Sequence, residues 1–120
     1  IAIDDSNKSN GCLEVYEESH KLGRLNHVRR DGQTCLEEKY LTDLNKRYKH
    51  SFIEMKSGDA LIFHCNLLHS SSENISDKHR WGFIVSYNKS SNYPSGNKRD
   101  YGNYEELMEV PKGYFMKYIS

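Results

Sequence analysis

Net charge is the first thing this sequence lacks: 17 lysines and arginines stand against 17 aspartates and glutamates, and no basic block interrupts the balance. A chain without that electrostatic footprint is not expected to engage nucleic acid or an anionic membrane surface. Long hydrophobic runs are also missing. Ala60-Leu61-Ile62-Phe63 is typical of the longest, whereas a bilayer span needs about 20 apolar residues. No basic stretch leads into an apolar one near the start, so no signal peptide is visible. Cysteine is scarce: Cys12, Cys35 and Cys65 are an odd number with no C-x-x-C spacing. That argues against a disulfide framework or zinc knuckle, and for a reducing compartment. Cytoplasm is the compartment expected, with the peroxisome or another organelle left open. Three glycosylation-type triplets, starting at Asn7, Asn74 and Asn88, point the other way. In a chain so rich in Asn and Ser they are read as chance.

What is present fits one modest domain of 120 residues, 36% hydrophobic, with a mean hydropathy of −0.87. The apolar residues are clustered enough to make a core. Ile1-Ala2-Ile3 and Cys12-Leu13-Glu14-Val15-Tyr16 read as strands joined by a tight loop ending in Asn10-Gly11, both tolerant of positive φ. Residues 17–34 show no sustained period and are expected to form a long surface loop. Leu36, Tyr40, Leu41, Leu44 and Tyr48 then fall on one helical stripe. Thr34 is the expected N-cap of that helix, with Glu37 completing a capping box. The strand pattern returns in Phe52–Met55 and Ala60–His64, flanking a turn at Lys56–Asp59, and again in Trp81–Tyr87. Tyr93–Gly96 reads as a turn, and Tyr104–Val110 as a short helix stopped by Pro111. The expected class is mainly β, an antiparallel sandwich or jelly roll with one or two short helices.

Chemistry concentrates between Gly58 and Arg80. His69 stands near a strand end, and Arg80, eleven residues on, opens the next apolar strand. Neighbouring antiparallel strands can turn two such residues into one cavity. Neutral imidazole is a good donor to Fe(II), and a guanidinium fork matches a carboxylate. Ser71 could add a hydroxyl to the same carboxylate. On residue types alone, a satisfied loop histidine and a surface or packing arginine are the favoured account of the pair.

The segment resembles the phytanoyl-CoA dioxygenase family of Fe(II)/2-oxoglutarate-dependent oxygenases, which includes the ectoine hydroxylases. Around its last metal ligand that family has a Gly-Asp turn, an apolar strand ending Phe-His, then His-Gly-Ser-x-x-Asn, and an Arg opening the following strand. Here the matching residues are Gly58-Asp59, Phe63-His64, His69-Ser70-Ser71-Ser72-Glu73-Asn74 and Arg80, with Ser70 in place of Gly. A second stretch is similar to the family's earlier motif: Asp4-Asp5, Asn10-Gly11-Cys12-Leu13, Ser19-His20-Lys21, Gly23, Leu25 and His27, with Glu17-Glu18 where Pro-Gly is usual. The likeness covers roughly residues 1–88. It implies a double-stranded β-helix (jelly roll, cupin-like) core, incomplete in this chain. Residues 1–120 would form a single partial domain, with 89–120 its tail.

The resemblance further implies that His69 is the distal iron ligand and that Arg80, assisted by Ser71, holds 2-oxoglutarate. Fe(II) and 2-oxoglutarate are thus the implied cofactor and co-substrate, ascorbate a candidate reductant, and a small molecule the substrate. Oligomeric state is not readable. His64 and Asn74 match the motif and are read as structural, His20 as a solvated loop residue, and Cys12 and Cys65 as small buried apolar groups.

Such an iron site needs two histidines and one carboxylate. None of the six histidines (His20, His27, His50, His64, His69, His79) is followed two residues on by Asp or Glu. The chain alone is therefore expected to be inactive, and the strand-like Ile1-Ala2-Ile3 suggests a piece of a longer enzyme. Two alternatives remain at this point: a non-enzymatic jelly-roll binding domain, and a cupin-like metal set drawn from His64, His69 and His79.

Overall fold

A computed structural model describes residues 1–30, 32–89, 91, 92, 107 and 111. The chain divides into two units, Ile1–Ile84 and Val85–Ser120, and every element named below lies in the first. Among the described residues the architecture is mainly β, all pairings antiparallel, with one α-helix. No helix among them is long and apolar enough to cross a membrane. The expected turn at Tyr93–Gly96 and helix at Tyr104–Val110 lie outside the described residues.

The central strand is β1 (Leu13–Tyr16), with β4 (His50–Ile53) on one edge and β5 (His69–Ser71) on the other. Leu13 stands opposite both Ile53 and Ser71, and Val15 opposite both Ser51 and His69. Because side chains alternate along a strand, this register sorts the sheet into two faces. One carries Leu13, Val15, Ile53, Ser51, His69 and Ser71. The other carries Glu14, Tyr16, His50, Phe52 and Ser70. Contacts agree on the second face: His50 Nε2 lies 3.1 Å from Glu14, and the His50 ring packs beside both Tyr16 and Phe52. Burial marks the first face as the inner one, since Val15 is buried.

The loop before β1 takes the tight form its residues predict. Asn7 caps a 3-10 turn (Lys8–Asn10), its Oδ1 accepting from the Ser9 and Asn10 amides, while Asn10 Oδ1 accepts from the Asn7 amide at 2.8 Å. Gly11 then reverses the chain at φ 75°. The two flanking segments do not pair with each other. Residues 1–6 run instead between 55–59 and 81–83, antiparallel to both. Ile1 and Phe83 exchange two hydrogen bonds of 2.9 Å, and Ser6 and Met55 exchange two of 2.7 and 2.8 Å.

Three expectations are corrected. Residues 17–34 are not one loop: a second 3-10 turn (Ser19–Leu22) is followed by a hairpin of β2 (His27–Arg30) and β3 (Gln33–Leu36). Gly32, just before β3, stands at φ 78°, as a tight hairpin turn requires. Thr34 is not an N-cap, because it pairs with Arg29 inside that hairpin. The helix α1 spans Glu38–Arg47, its cap position is Glu37 without a side-chain hydrogen bond, and Leu44 is the residue of the stripe that it buries. Finally, Ala60–His64 and Trp81–Tyr87 form no named strand. Their composition is right, but a strand needs a paired backbone, and among the described residues the strand-like partners found are those of Trp81, Gly82 and Phe83 along residues 1–4.

Candidate functional site

His69 opens β5 on the inner face, and Ser71, two residues on, shares that face by alternation. The approach to β5 is held from the far side of β1. Ser19 is completely buried, and its Oγ accepts the Leu68 amide at 2.9 Å, while the Tyr16 amide donates to the Leu68 carbonyl at 3.0 Å. The 3-10 turn carrying Ser19 is thereby buttoned onto the residue preceding His69.

The protonation of the His69 ring follows from its neighbour. Nδ1 lies 2.8 Å from the Leu67 carbonyl, which can only accept, so Nδ1 carries the hydrogen. In the neutral ring the lone pair is then on Nε2. A metal-binding histidine is commonly held this way, its second nitrogen donating to a backbone carbonyl. The donor set at His69 therefore fits one ligand to a metal such as Fe(II).

His64 is arranged in the opposite sense. Its Nδ1 accepts the Asn66 amide at 3.1 Å, which puts the ring hydrogen on Nε2 and leaves no lone pair for a metal. Nor does alternation carry from His64 to His69, because Cys65 and Asn66 form a turn closed by the Leu67 amide donating to the His64 carbonyl. Phe63 packs edge-on to the His69 ring at 5.1 Å, whereas His64 pairs with His20 at 5.5 Å. His20 is accordingly half-buried rather than solvated, and His79 lies beside Trp81. Among the described residues no three His, Cys, Asp or Glu side chains gather to hold a metal. The turn also explains why Cys65 is exposed rather than buried as expected; Cys12, by contrast, is 1% exposed.

Arg80 is half-buried, and its Nε is shut off from solvent with no hydrogen-bond partner among the described residues. An unsatisfied buried donor costs about 1–3 kcal/mol. The Arg80 charge is felt at Cys12. Burial pushes the Cys12 thiol up, Glu54 and Glu14 push in the same direction, and Arg80 and Lys8 oppose them. Cys12 adjoins Leu13, the partner of Ser71. Asp4 fixes the backbone beyond Arg80, its Oδ2 accepting the Trp81 amide at 2.9 Å. Asn74 is structural as expected: its side chain holds its own loop together by bonding the Ser76 amide and the Lys78 carbonyl.

Sequence reasoning missed Ser19 and Phe63 as supports of His69. A serine in a polar stretch gives no sign of complete burial, and a phenylalanine six residues away meets the ring only because the intervening turn folds back.

Comparison with known proteins bears on the family of the chain. The profile of the phytanoyl-CoA dioxygenase (PhyH) family matches residues 1–82. A protein of Arabidopsis thaliana described as phytanoyl-CoA dioxygenase is 34% identical over 86 residues, covering 71% of this chain and 30% of the relative. A protein of Oryza sativa subsp. japonica described as phytanoyl-CoA dioxygenase 1 is 36% identical over 77 residues, covering 63% of this chain and 27% of the relative. The chain thus spans less than a third of the length of these relatives. No solved structure matches.

Proposed function

Since the chain belongs to the phytanoyl-CoA dioxygenase family, we propose that it is part of a 2-oxoglutarate-dependent, non-haem iron dioxygenase that hydroxylates a small molecule. The observation that carries this reading is the His69 ring, with Nδ1 committed to the Leu67 carbonyl and Nε2 without a hydrogen-bond partner among the described residues. His69 would hold the iron, with two further ligands supplied from outside these 120 residues. Residues 1–120 would then be one part of a larger jelly-roll domain.

Bound iron would supply the redox chemistry by which 2-oxoglutarate and dioxygen yield succinate and carbon dioxide, one oxygen atom going to succinate and one to the substrate C–H bond. The residues of this chain have simpler tasks. Arg80 would receive the far carboxylate of 2-oxoglutarate through its guanidinium, and Ser71 would donate its hydroxyl to the same group. Leu67 would keep the His69 proton on Nδ1, so that the metal-facing nitrogen remains a donor of electrons. The inner face around Leu13 and Val15 would help to exclude water.

The test is anaerobic titration of the full-length polypeptide with Fe(II) and then 2-oxoglutarate, alongside His69→Ala. Iron and 2-oxoglutarate should bind to the parent, and His69→Ala should lose the iron. A parent that binds neither would overturn the reading and leave a jelly-roll binding module without redox chemistry.

A further inference from the structure

Resting on that assignment of His69, we propose that Phe63 is a positioning residue that fixes the tilt of the metal-binding imidazole. His69 is exposed at the first residue of a three-residue strand, so dense packing does not hold its side chain. Two contacts define its ring. The Leu67 carbonyl, 2.8 Å from Nδ1, sets which nitrogen carries the hydrogen. That bond lies along one direction in the ring plane and leaves the plane free to roll about it. The Phe63 ring, 5.1 Å away and inclined at 62°, meets the imidazole edge-to-face and restricts the roll. A single loop supplies both contacts, because the Leu67 amide donates to the carbonyl of His64, the residue next to Phe63. The brace and the hydrogen-bond acceptor therefore move together with their target.

Phe63 is 40% exposed in these 120 residues, and the ring it meets edge-on is that of His69. Its geometric specificity lies with His69. An aromatic edge contact of this kind has a modest effect, and groups that orient metal ligands typically alter metal affinity about 10–100-fold. The lower end suits a half-exposed contact.

The experiment uses the full-length polypeptide, with Co(II) or anaerobic Fe(II) binding read by calorimetry and the Co(II) absorption spectrum, and thermal unfolding followed in parallel. Phe63→Leu and Phe63→Met should each raise the metal dissociation constant about tenfold and alter the Co(II) spectrum. Phe63→Tyr, which keeps the ring, should restore both within a factor of about two. Unaltered metal affinity and spectrum in Leu and Met variants, while His69→Ala abolishes binding, would overturn the role of Phe63 and leave His69 as ligand. Metal binding unchanged by His69→Ala would instead remove the assignment on which the proposal rests.

Discussion

Replacing Gly11 by alanine probes the junction that aligns the candidate site, and its effect can be worked out from two separate physical causes. Gly11 sits at φ 75°, in the left-handed region, where an L-residue costs about 1–2 kcal/mol. A methyl group there would also overlap the Ser72 carbonyl oxygen and stand 3.0 Å from the Ser72 carbonyl carbon and 3.1 Å from the Glu73 oxygen. These are backbone atoms and cannot rotate away. Forcing them apart adds an overpacking cost of about 1–3 kcal/mol, for a total of about 2–5. Gly32 provides the control, at φ 78° with nothing within 4 Å of the added carbon. Gly32→Ala should therefore lose only the left-handed cost. Urea unfolding of the two variants in the full-length polypeptide isolates the packing term as their difference, about 1–3 kcal/mol. Equal losses would show that residues 72–73 do not lie against Gly11, and would undo the register that aligns Leu13 with Ser71.

Three further outcomes are expected. Ser19→Ala leaves the Leu68 amide without its acceptor in a part-buried place, costing about 1–3 kcal/mol, and should speed hydrogen exchange at Leu68 more than at the amides of β1. Arg80→Leu should raise the KM for 2-oxoglutarate roughly a hundredfold, corresponding to about 3 kcal/mol for a carboxylate that loses its charged partner; an unchanged KM refutes the clamp. Acid should weaken the tie between residues 1–6 and the 55–59 segment. Lys56 and the Ser57 amide hold the Asp5 carboxyl below its ordinary value of 3.8. A lowered folded value means that the stabilisation is complete above about pH 4 and is lost as pH falls through the folded value. Asp5→Asn should abolish that part of the acid dependence, as read from denaturation midpoints between pH 7 and pH 2.

β1 was legible as a short apolar run bounded by turn formers, and the helical stripe located the body of α1; of β4 only Phe52-Ile53 was expected, and β5 was read as loop because His69-Ser70-Ser71 carries no apolar residue. The β2–β3 hairpin escaped notice for a physical reason. All four β2 residues are exposed, so no burial pattern distinguishes His27-Val28-Arg29-Arg30 from a loop. The usable signal was Asp31-Gly32, a strong hairpin turn pair. The opposite error affected Ala60–His64 and Trp81–Tyr87, where hydrophobicity announced strands but pairing depends on neighbours that composition does not encode. At the site, period-two alternation was enough to place His69 and Ser71 on one face. It could not predict which nitrogen of His64 or His69 carries the proton, because that depends on the carbonyl of Leu67 and the amide of Asn66.

Glu18 is the one non-glycine among the described residues with positive φ, at 64°. It occupies the position where the resembled motif has glycine, so the bend survives although the residue best suited to it is gone. The shape must then be imposed from outside, by Ser19 anchored beneath Leu68 on one side and Lys21 paired with Glu18 on the other. Folding here overrides local preference. The bend stores conformational tension of about 1–2 kcal/mol, which a return to glycine would release without altering any group that touches a reactant. Protein engineers seeking a hardier version of this molecule could start at that position.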